Sequence, residues 1–221
     1  RDFTVNAMFF DPVTETLHDF VDGQADLAAK KIRCVGDANR RFAEDHLRML
    51  RAVRFASRFG FEIEPDTTKA IQKHASSIER ISKERIHVEL TRTFLEAQKP
   101  GQALFLMESL GLLQVIMPEV ADMREQEQPP QFHPEGDVLT LTIMMLDEMG
   151  YRDTTLIYAT LFHDLGKPPT ATHDGTRIRF NCHADVGAEM AYKIMKNLHF
   201  PTRIIEDVTL CVRNHMRFMD V

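Results

Sequence analysis

Residues 44–55, EDHLRMLRAVRF, place an acidic residue and three arginines at intervals of three along one segment. The apolar residues between them repeat with helical spacing, so the pattern predicts an amphipathic helix from Arg40 to Phe59 that ends at Gly60. Aspartate accepts a hydrogen bond from an exocyclic amino group, and arginine donates one to a neighbouring ring nitrogen. Asp45 and Arg48 on one helix could therefore recognise the edge that cytosine and adenine share, and reject guanine and uracil. An Asp-x-x-Arg pair is also common as an exposed ion pair, and the pattern alone does not separate the two interpretations.

The chain around this segment is basic, although the protein as a whole is acidic. Its formal net charge is −6, whereas residues 29–58 contain nine basic residues and three acids, a local balance of +6. Local concentrations of lysine and arginine bind phosphate groups, so we interpret the segment as a surface for a triphosphate and the 3′ end of an RNA. A basic helix face that is only solvated would show the same charge pattern.

Three further motifs accompany the arginine segment. Residues 1–7 read RDFTVNA, residues 19–27 read DFVDGQADL and are followed by Ile32-Arg33, and residues 84–90 read ERIHVEL. In this order the four motifs resemble the class II tRNA nucleotidyltransferases, which include the CCA-adding enzymes and the bacterial poly(A) polymerases. The resemblance covers nearly the whole chain, because its last part resembles the HD domain that follows in many of these proteins.

The resemblance implies a nucleotide site built from the first motif and the arginine segment. The first motif would lie against the ribose and the triphosphate, while Asp45 and Arg48 would recognise the base. The implied nucleotide-binding residues are Arg1, Asp2, Asn6, Asp45, Arg48, Arg51 and Arg54, the last two supporting the base site or the phosphates. The residues expected to support the base-recognition helix are Glu44, Glu84, Arg85 and Glu89.

One element of the family pattern is absent from this sequence. The resemblance implies Mg²⁺ bound by two palm carboxylates in an Asp-x-Asp element, and the chain contains no Asp-x-Asp. Two-metal phosphoryl transfer depends on those carboxylates, so we expect this chain by itself not to polymerise nucleotides. The first residue is Arg1, and the last helical pattern has no terminating Gly or Pro, so we expect a piece cut at both ends from a longer protein.

Composition favours part of an intracellular enzyme over a membrane or secreted protein. With 221 residues, of which 43% are hydrophobic and 27% charged, the chain can form a sizeable core in two or three modest domains. No apolar run is long enough for a membrane helix and no cleavable leader is visible, so we predict no membrane partner. Cys34, Cys182 and Cys211 are odd in number and widely spaced, which predicts no disulfide framework and a cytoplasmic location.

The predicted fold is mainly α-helical and has three parts. Residues 1–36 are predicted to be a remnant of a nucleotidyltransferase palm with short β-strands between 3 and 20. Residues 37–125 are predicted to be a helical neck and body, and residues 126–221 an all-helical HD domain with a small hairpin, with the boundary in the polar segment 125–131. Besides the helix at 40–59, helices are predicted at Asp66–His74, Lys83–Leu95, Gly101–Ser109, Asp137–Met149, Thr154–Leu165, Ala184–Leu198 and Thr202–Met216, and a hairpin at Thr172–Thr176.

Histidines and an aspartate in the last part predict a metal site. His163-Asp164 follows an apolar helical pattern, and adjacent pairs of this kind give the HD phosphohydrolases their name. Imidazole and carboxylate suit a divalent transition metal, which would make hydroxide available near neutral pH. The predicted ligands are His163, Asp164 and His183, with His215 as a further candidate.

Two other positions bear on this metal site. His133–Asp137, HPEGD, matches the segment that begins the HD domain in the family. Leu141, however, stands where related proteins place a histidine, and leucine cannot ligate a metal. The sequence is therefore compatible with two interpretations, an occupied metal site and a hydrogen-bonded remnant of such a site.

The sequence favours one function and leaves three alternatives. The preferred hypothesis is a template-independent RNA nucleotidyltransferase that adds CMP and AMP from CTP and ATP to the 3′ end of tRNA. A poly(A) polymerase of the same family, acting on another RNA 3′ end, shares these motifs. An HD metal-dependent phosphohydrolase and a non-catalytic RNA-binding module are the alternatives from other classes. The sequence does not predict the oligomeric state.

Overall fold

The structure is a computed structural model that describes residues 1–128, 136–175 and 177–218. Within these ranges the chain is mainly helical, which confirms the predicted fold class. The α-helices are α1 (Gly23–Ala28), α2 (Ala38–Glu44), α3 (Leu47–Phe59), α4 (Pro65–His74), α5 (Lys83–Glu96), α6 (Pro100–Ser109), α7 (Leu112–Ile116), α8 (Pro118–Ala121), α9 (Val138–Glu148), α10 (Thr154–Phe162), α11 (Lys167–Thr170), α12 (His183–Asn197) and α13 (Thr202–Asn214). Short 3-10 helices lie at Thr4–Asn6, Ala75–Arg80 and His215–Phe218.

The strands pair two by two. They are β1 (Phe9–Asp11), β2 (Thr16–His18), β3 (Lys31–Ile32), β4 (Glu62–Ile63), β5 (Ala171–His173) and β6 (Ile178–Phe180). Two short strands were predicted between residues 3 and 20, and β1 and β2 lie there as an antiparallel pair, whereas Thr4–Asn6 forms a 3-10 helix instead of the start of a strand. β5 and β6 form a second hairpin, and Gly175 in its turn has a φ of +89°, which glycine adopts without strain. Thr176, the last residue of the predicted hairpin, lies outside the described residues.

The predicted helix from Arg40 to Phe59 is wrong in one respect, because the segment forms two helices, α2 and α3. The chain leaves the helical conformation at Asp45, whose φ of −151° and ψ of 104° are extended. Asp45 Oδ1 accepts a hydrogen bond from Leu47 N at 3.1 Å, so this side chain satisfies an amide at the start of α3. Asp45 therefore lies before the helix that carries Arg48, not on its face.

The other predicted helices are confirmed, with ends within three residues of the expected ones. Aspartates precede two of them, because a carboxylate can accept a hydrogen bond from a free amide of the first turn. Asp137 caps α9 by accepting from Thr140 N, and Asp153 caps α10 by accepting from Leu156 N. The parallel pair of β3 and β4 is not predicted, because two-residue strands leave no periodicity in the sequence.

Side chains of the HD part form hydrogen bonds with backbone groups at the ends of two helices of the body. Asp147 Oδ1, at the end of α9, accepts from Gly101 N at 2.7 Å and Gln102 N at 3.2 Å, in the first turn of α6. Arg152 Nη1 donates to Ala97 O at 2.6 Å, just after α5. Buried side chains of both parts also belong to one hydrophobic cluster. The two parts therefore share packing and hydrogen bonds between side chains and backbone groups.

Arg124 lies directly before the predicted boundary and joins its two sides. Its Nη2 donates to Glu108 Oε2 of α6 at 2.5 Å, and its Nη1 to Asp137 Oδ2 at 3.1 Å. The hydrogen bond to Glu108 is the main cause of a raised pKa at Arg124. Of the predicted boundary, residues 129–131 lie outside the described ranges, as do residues 133–135 of the HPEGD segment.

Within the part of the chain that the structure describes, none of the helices combines the length and apolar character needed to cross a membrane.

Candidate functional site

Two arginines of α3 converge on an aspartate of the first motif. Asp2 Oδ1 accepts from Arg48 Nε at 2.9 Å, and Asp2 Oδ2 lies 2.8 Å from Arg51 Nη2. Arg48 Nη1 also donates to Glu44 Oε2 at 2.8 Å and to the carbonyl oxygen of Arg41 at 2.7 Å. Burial lowers the pKa of Arg48, but its hydrogen bonds to Glu44 and Asp2 more than compensate and raise it. The structure thus brings together Asp2, Arg48 and Arg51 as a charged cluster, with Glu44 beside it.

Arg41 also belongs to this cluster, although it was not predicted as a nucleotide-binding residue. Its Nη2 donates to the carbonyl oxygen of Arg1 at 2.5 Å and its Nη1 to Glu44 Oε2 at 2.6 Å, so it connects the first motif to α2. The Nε atoms of Arg41 and Arg51 are buried and have no hydrogen-bond partner among the described residues. Buried donors normally find an acceptor, so the cluster has donors left for a bound anion. The excess of basic residues in 29–58 was the available sequence signal for Arg41.

Asp45 has a different partner from Arg48. Its Oδ2 lies 3.0 Å from Arg85 Nη2 of α5, while its Oδ1 accepts from Leu47 N. The side chains of Asp45 and Arg85 are 31% and 50% exposed, so a ligand can reach both. No direct hydrogen bond joins the side chains of Asp45 and Arg48 in the described structure. The two residues of the predicted base-recognition pair therefore have different partners. Asp45 contacts Arg85, whereas Arg48 contacts Asp2 and Glu44.

Arg54 is placed away from the arginine cluster. Its side chain is only 4% exposed, and its Nε donates to Glu89 Oε1 at 2.6 Å. Its Nη1 donates to Glu96 Oε2 at 3.1 Å. The two glutamates occupy the Nε and Nη1 of this buried guanidinium, which favours a structural role for Arg54 over the expected contact with base or phosphate. Arg54 instead connects α3 to α5.

The remaining predicted residues have varied surroundings. Asn6 Oδ1 accepts from Phe3 N at 3.2 Å, so this side chain stabilises the first 3-10 helix. The Arg1 side chain is exposed and makes no ion pair within the described residues. Glu84, expected to support the base-recognition helix, contacts His199 Nδ1 between α12 and α13 instead.

A second cluster lies in the HD part. Asp164, His183 and His215 each bring one ligand atom within 4.8 Å of the others, and these residues could hold a metal ion. The Nε2 atoms of His183 and His215 lie 3.5 and 3.6 Å from Asp164 Oδ1. His163, predicted as a ligand, places its Nε2 3.0 Å from the other oxygen, Asp164 Oδ2. His163 therefore lies beside this group, and His215, only a further candidate by sequence, belongs to it.

Backbone carbonyls orient the three imidazoles. The Nδ1 atoms of His163, His183 and His215 lie 2.8, 2.8 and 2.6 Å from the carbonyl oxygens of residues 160, 180 and 212. A carbonyl only accepts, so each Nδ1 carries hydrogen, and each Nε2 near Asp164 is either the N–H donor of a protonated ring or, in a neutral ring, a lone pair that a cation can use. The Nε2 atoms of His183 and His215 are 3.3 Å apart, a distance at which two lone pairs repel unless a proton or a cation lies between them. Metal-bound histidines typically have this carbonyl contact.

Burial and neighbouring groups shift the pKa values of this cluster. Burial alone would raise the pKa of Asp164, but hydrogen bonds from His163 and His215 and the charge of Lys167 hold it well below its usual range. Burial lowers the pKa of His183. At His215 burial acts in the same direction, but the hydrogen bond to Asp164 outweighs it and raises the pKa. The donor set therefore fits a divalent transition metal, although Leu141 on α9 offers no ligand atom.

Three family models match successive parts of the sequence. The poly(A) polymerase head domain matches residues 1–33, the probable RNA- and SrmB-binding site of polymerase A matches residues 60–124, and the HD domain matches residues 136–221. The chain is 34% identical over 223 residues to the multifunctional CCA protein of Halorhodospira halophila and 35% identical over 225 residues to that of Neisseria gonorrhoeae. The alignments cover 98% and 100% of this chain but 52% and 53% of those proteins. The chain therefore spans about half the length of the curated relatives it matches.

Solved structures share the fold at low sequence identity. A tRNA-processing enzyme in apo form I superposes with a TM-score of 0.63 at 20% identity, covering 100% of this chain and 54% of that one. The Thermotoga maritima CCA-adding enzyme complexed with tRNA superposes with a TM-score of 0.52 at 21% identity, covering 96% of this chain and 55% of that one. By its three family models and its curated relatives, the chain belongs to the family of class II tRNA nucleotidyltransferases and bacterial poly(A) polymerases.

Proposed function

We propose that this chain is part of a template-independent nucleotidyltransferase that adds CMP and AMP, from CTP and ATP, to the 3′ end of tRNA. The observation that carries the proposal is the partly exposed pair of Arg48 and Arg51 on Asp2. Arg41 contacts the neighbouring Arg1 carbonyl oxygen, and Asp45 lies just before the helix that carries both arginines. The names of the relatives, multifunctional CCA proteins, support CCA addition over poly(A) addition. We also propose the division into a palm remnant at 1–36, a neck and body at 37–125 and an HD domain at 126–221.

The geometry supports a different role for each of the two base-recognition residues, Asp45 and Arg48. Arg48 uses its Nε and Nη1 for Asp2, Glu44 and a carbonyl, and its Nη2 has no partner within the described residues. That Nη2 is free to donate to the ring acceptor of cytosine or adenine, while Asp45 accepts from the exocyclic amino group. Guanine and uracil would present a donor to Arg48 and a carbonyl to Asp45, leaving both contacts unmade.

Other residues of the cluster would hold the rest of the nucleotide. Arg1, Arg41 and Arg51 supply positive charge for the triphosphate, and Asp2 is placed between the two arginines that flank the base site. The Mg²⁺ that activates the RNA 3′ hydroxyl would be bound by palm carboxylates that this sequence does not contain. The contribution of this chain is therefore selection of the nucleotide and support of the RNA.

Replacing Arg48 by Ala tests base recognition directly. The chain is expected to bind ATP and CTP about tenfold more tightly than GTP and UTP, because each well-placed hydrogen-bonded pair discriminates by about 1–3 kcal/mol. In Arg48→Ala this preference should fall to within about twofold. Titration calorimetry with each nucleotide gives the affinities. Arg40→Ala is the matched control, since it removes the same charge from an 84% exposed side chain of α2 and should keep the preference.

Equal binding of the four nucleotides by the unaltered chain would contradict base recognition and favour a non-catalytic RNA-binding module. To separate CCA addition from poly(A) addition, the complete protein that contains this chain is incubated with tRNA lacking its terminus and each nucleotide in turn. Incorporation of both C and A is the expected result. Incorporation of A alone would favour a poly(A) polymerase.

A second function, an HD metal-dependent phosphohydrolase, is favoured by one observation, the paired Nε2 atoms of His183 and His215 beside Asp164. These three residues would hold the metal, which when bound would supply hydroxide near neutral pH. His163 contacts the far oxygen of Asp164, so it would orient this carboxylate. The site does not depend on the arginine cluster, so both functions can belong to one protein.

Removal of His215 tests the metal site. Mn²⁺ should bind the chain with one site per molecule and raise its unfolding temperature, since a ligand that binds only the folded state stabilises it. His215→Ala and His183→Ala should each weaken Mn²⁺ binding at least tenfold in equilibrium dialysis. His173→Ala, on the exposed hairpin strand β5, is the control and should bind Mn²⁺ normally. Unchanged Mn²⁺ affinity in both cluster variants would show that the metal binds elsewhere.

A further inference from the structure

One face of helix α5 contacts the HD part. Three residues make these contacts, and their spacing of three and four positions places them on the same side of the helix: Glu84, His87 and Thr91. His87 Nδ1 lies 2.9 Å from the carbonyl oxygen of Leu198, which can only accept, so Nδ1 is the donor. Thr91 Oγ1 lies 3.1 Å from the hydroxyl of Tyr158 on α10. The HD part therefore holds α5 at several points along its first half.

The first turn of α5 is anchored from the turn between α12 and α13. Ser82 precedes α5, and its side chain makes no capping hydrogen bond among the described residues. An uncapped first turn leaves amide groups without an intrahelical partner and tends to fray. Glu84 of this turn pairs with Nδ1 of His199, and His87 follows one turn later on Leu198. Leu198 and His199 of the HD part therefore replace the missing cap as supports for the start of α5.

The hydrogen bond of His87 is the better shielded of these two contacts. Glu84 and His199 are both more than half exposed, so their ion pair contributes little. The ring of His87, in contrast, packs on Phe200 with ring centroids 4.7 Å apart. Phe200 is itself buried, and its ring packs edge-on against Tyr158. His87 is therefore the residue that fixes the beginning of α5 against the HD part.

Arg85 lies in the same first turn and contacts the proposed base-recognition residue Asp45. Its Nη2 lies 3.0 Å from Asp45 Oδ2, while the other oxygen of Asp45 accepts from Leu47 N of α3. One oxygen of the carboxylate is thus held by α3 and the other by α5. The side chains of Arg85 and Asp45 are both partly exposed, so packing does not fix them. The position of α5 therefore decides how the carboxylate is turned.

We infer that His87 is a positioning residue for base recognition and that it acts through Arg85 on Asp45. Its hydrogen bond to Leu198 holds the start of α5, and Arg85 in that turn orients the carboxylate that accepts from the base. The inference rests on the proposed recognition of cytosine and adenine. It adds to that function a contribution of the HD part, which affects the choice of nucleotide without contacting the nucleotide.

Two substitutions of His87 separate its hydrogen bond from its ring. His87→Phe keeps an aromatic ring against Phe200 but cannot donate to Leu198, whereas His87→Asn keeps an N–H near the position of Nδ1 and loses the ring. In titration calorimetry, the preference for ATP and CTP over GTP and UTP should fall from about tenfold to about threefold or less in His87→Phe. His87→Asn should keep this preference within about twofold of the unaltered chain. A residue that only stabilised the fold would lower all four affinities together and leave their ratio unchanged.

Arg152→Ala is the matched control. Arg152 also joins the HD part to α5, but it donates to the carbonyl oxygens of Ala97 and Gln98, just after the end of the helix opposite Arg85. Its removal weakens the contact between the two parts and leaves the first turn of α5 in place. The nucleotide preference should therefore stay within about twofold of that of the unaltered chain. Thermal unfolding confirms that each variant is folded.

A double substitution tests whether His87 acts through Arg85. Arg85→Ala removes the group that holds Asp45, so it should itself lower the preference, and adding His87→Phe should lower it no further. Additive losses, or a full preference in folded His87→Phe, would overturn the inference and leave base recognition by Asp45 and Arg48 intact. An unaltered chain without any preference would instead contradict the proposed function, and the inference with it.

Discussion

Gly101→Ala is expected to lower the free energy of unfolding by about 3 kcal/mol or more. Gly101 lies in the first turn of α6, where it packs against α9 of the HD part. A methyl group on its Cα would lie 2.0 Å from the carbonyl oxygen of Ile143 and 2.8 Å from Asp147 Oδ1. Both neighbours are constrained, because Ile143 is within a helix and Asp147 caps α6, so the helices must separate. Urea unfolding measures the loss.

The sign of the change in the free energy of unfolding separates the effect of the close contact from the effect of helix propensity. Within a helix, glycine to alanine normally stabilises by up to about 1 kcal/mol. Gly150→Ala is the control, because a methyl group there meets no atom within 4 Å and Gly150 does not have a positive φ. It should leave stability within about 0.5 kcal/mol of the unaltered chain. A Gly101→Ala variant as stable as Gly150→Ala would show that body and HD part are not packed as described.

Arg54→Ala should destabilise the chain by about 3–5 kcal/mol, because it leaves the carboxylate of Glu89 buried without its partner. The two side chains are 4% and 7% exposed, and their 2.6 Å contact joins α3 to α5. Arg51→Ala, three residues earlier, is the comparison, since its side chain is 36% exposed. That substitution should reduce stability by about 1 kcal/mol or less. Denaturant midpoints with a constant slope give both values.

A double substitution tests whether the buried charge causes the loss. Arg54→Met with Glu89→Leu removes both charges and keeps most of the apolar volume, so it should recover a large share of the stability lost in Arg54→Ala. If the double variant is less stable than Arg54→Ala, the hydrogen bonds of the pair matter more than its burial. Nucleotide preference should survive in this variant, because Arg54 does not face the arginine cluster. If the double variant folds but loses its preference for ATP and CTP, then Arg54 does contribute to the nucleotide site.

Helix α5 links the two candidate sites. Arg85 contacts Asp45 beside the nucleotide cluster, while His87 Nδ1 lies 2.9 Å from the carbonyl oxygen of Leu198 in the HD part. The ring of His87 also packs on Phe200, with centroids 4.7 Å apart. The HD part therefore helps to hold the helix against which Asp45 is placed.

Helical periodicity and capping residues made most of the helices predictable from sequence. Apolar spacing predicted α4, α5 and α6, as well as α9 and α10, whose starts the structure shows to be capped by Asp137 and Asp153. The break at Asp45 was missed because an aspartate inside an amphipathic pattern leaves the periodicity intact. Only its extended backbone and the hydrogen bond that its side chain accepts from Leu47 N show that α2 ends there. The paired two-residue strands were missed because their partners are distant in sequence.

The amino-acid sequence by itself determined the family, the helical class of the fold and the chemistry available to each site, since these follow from residue type and spacing along one chain. Only the tertiary structure decided which partner each of the equally spaced arginines has and how deeply each is buried. Arg48, Arg51 and Arg54 have the same spacing, yet Arg54 is enclosed by Glu89 and Glu96 while the other two contact Asp2. His215 joins Asp164 and His183 because α12 and α13 pack side by side, a contact that sequence separation conceals. Burial and pairing depend on groups far along the chain, and no local pattern encodes them.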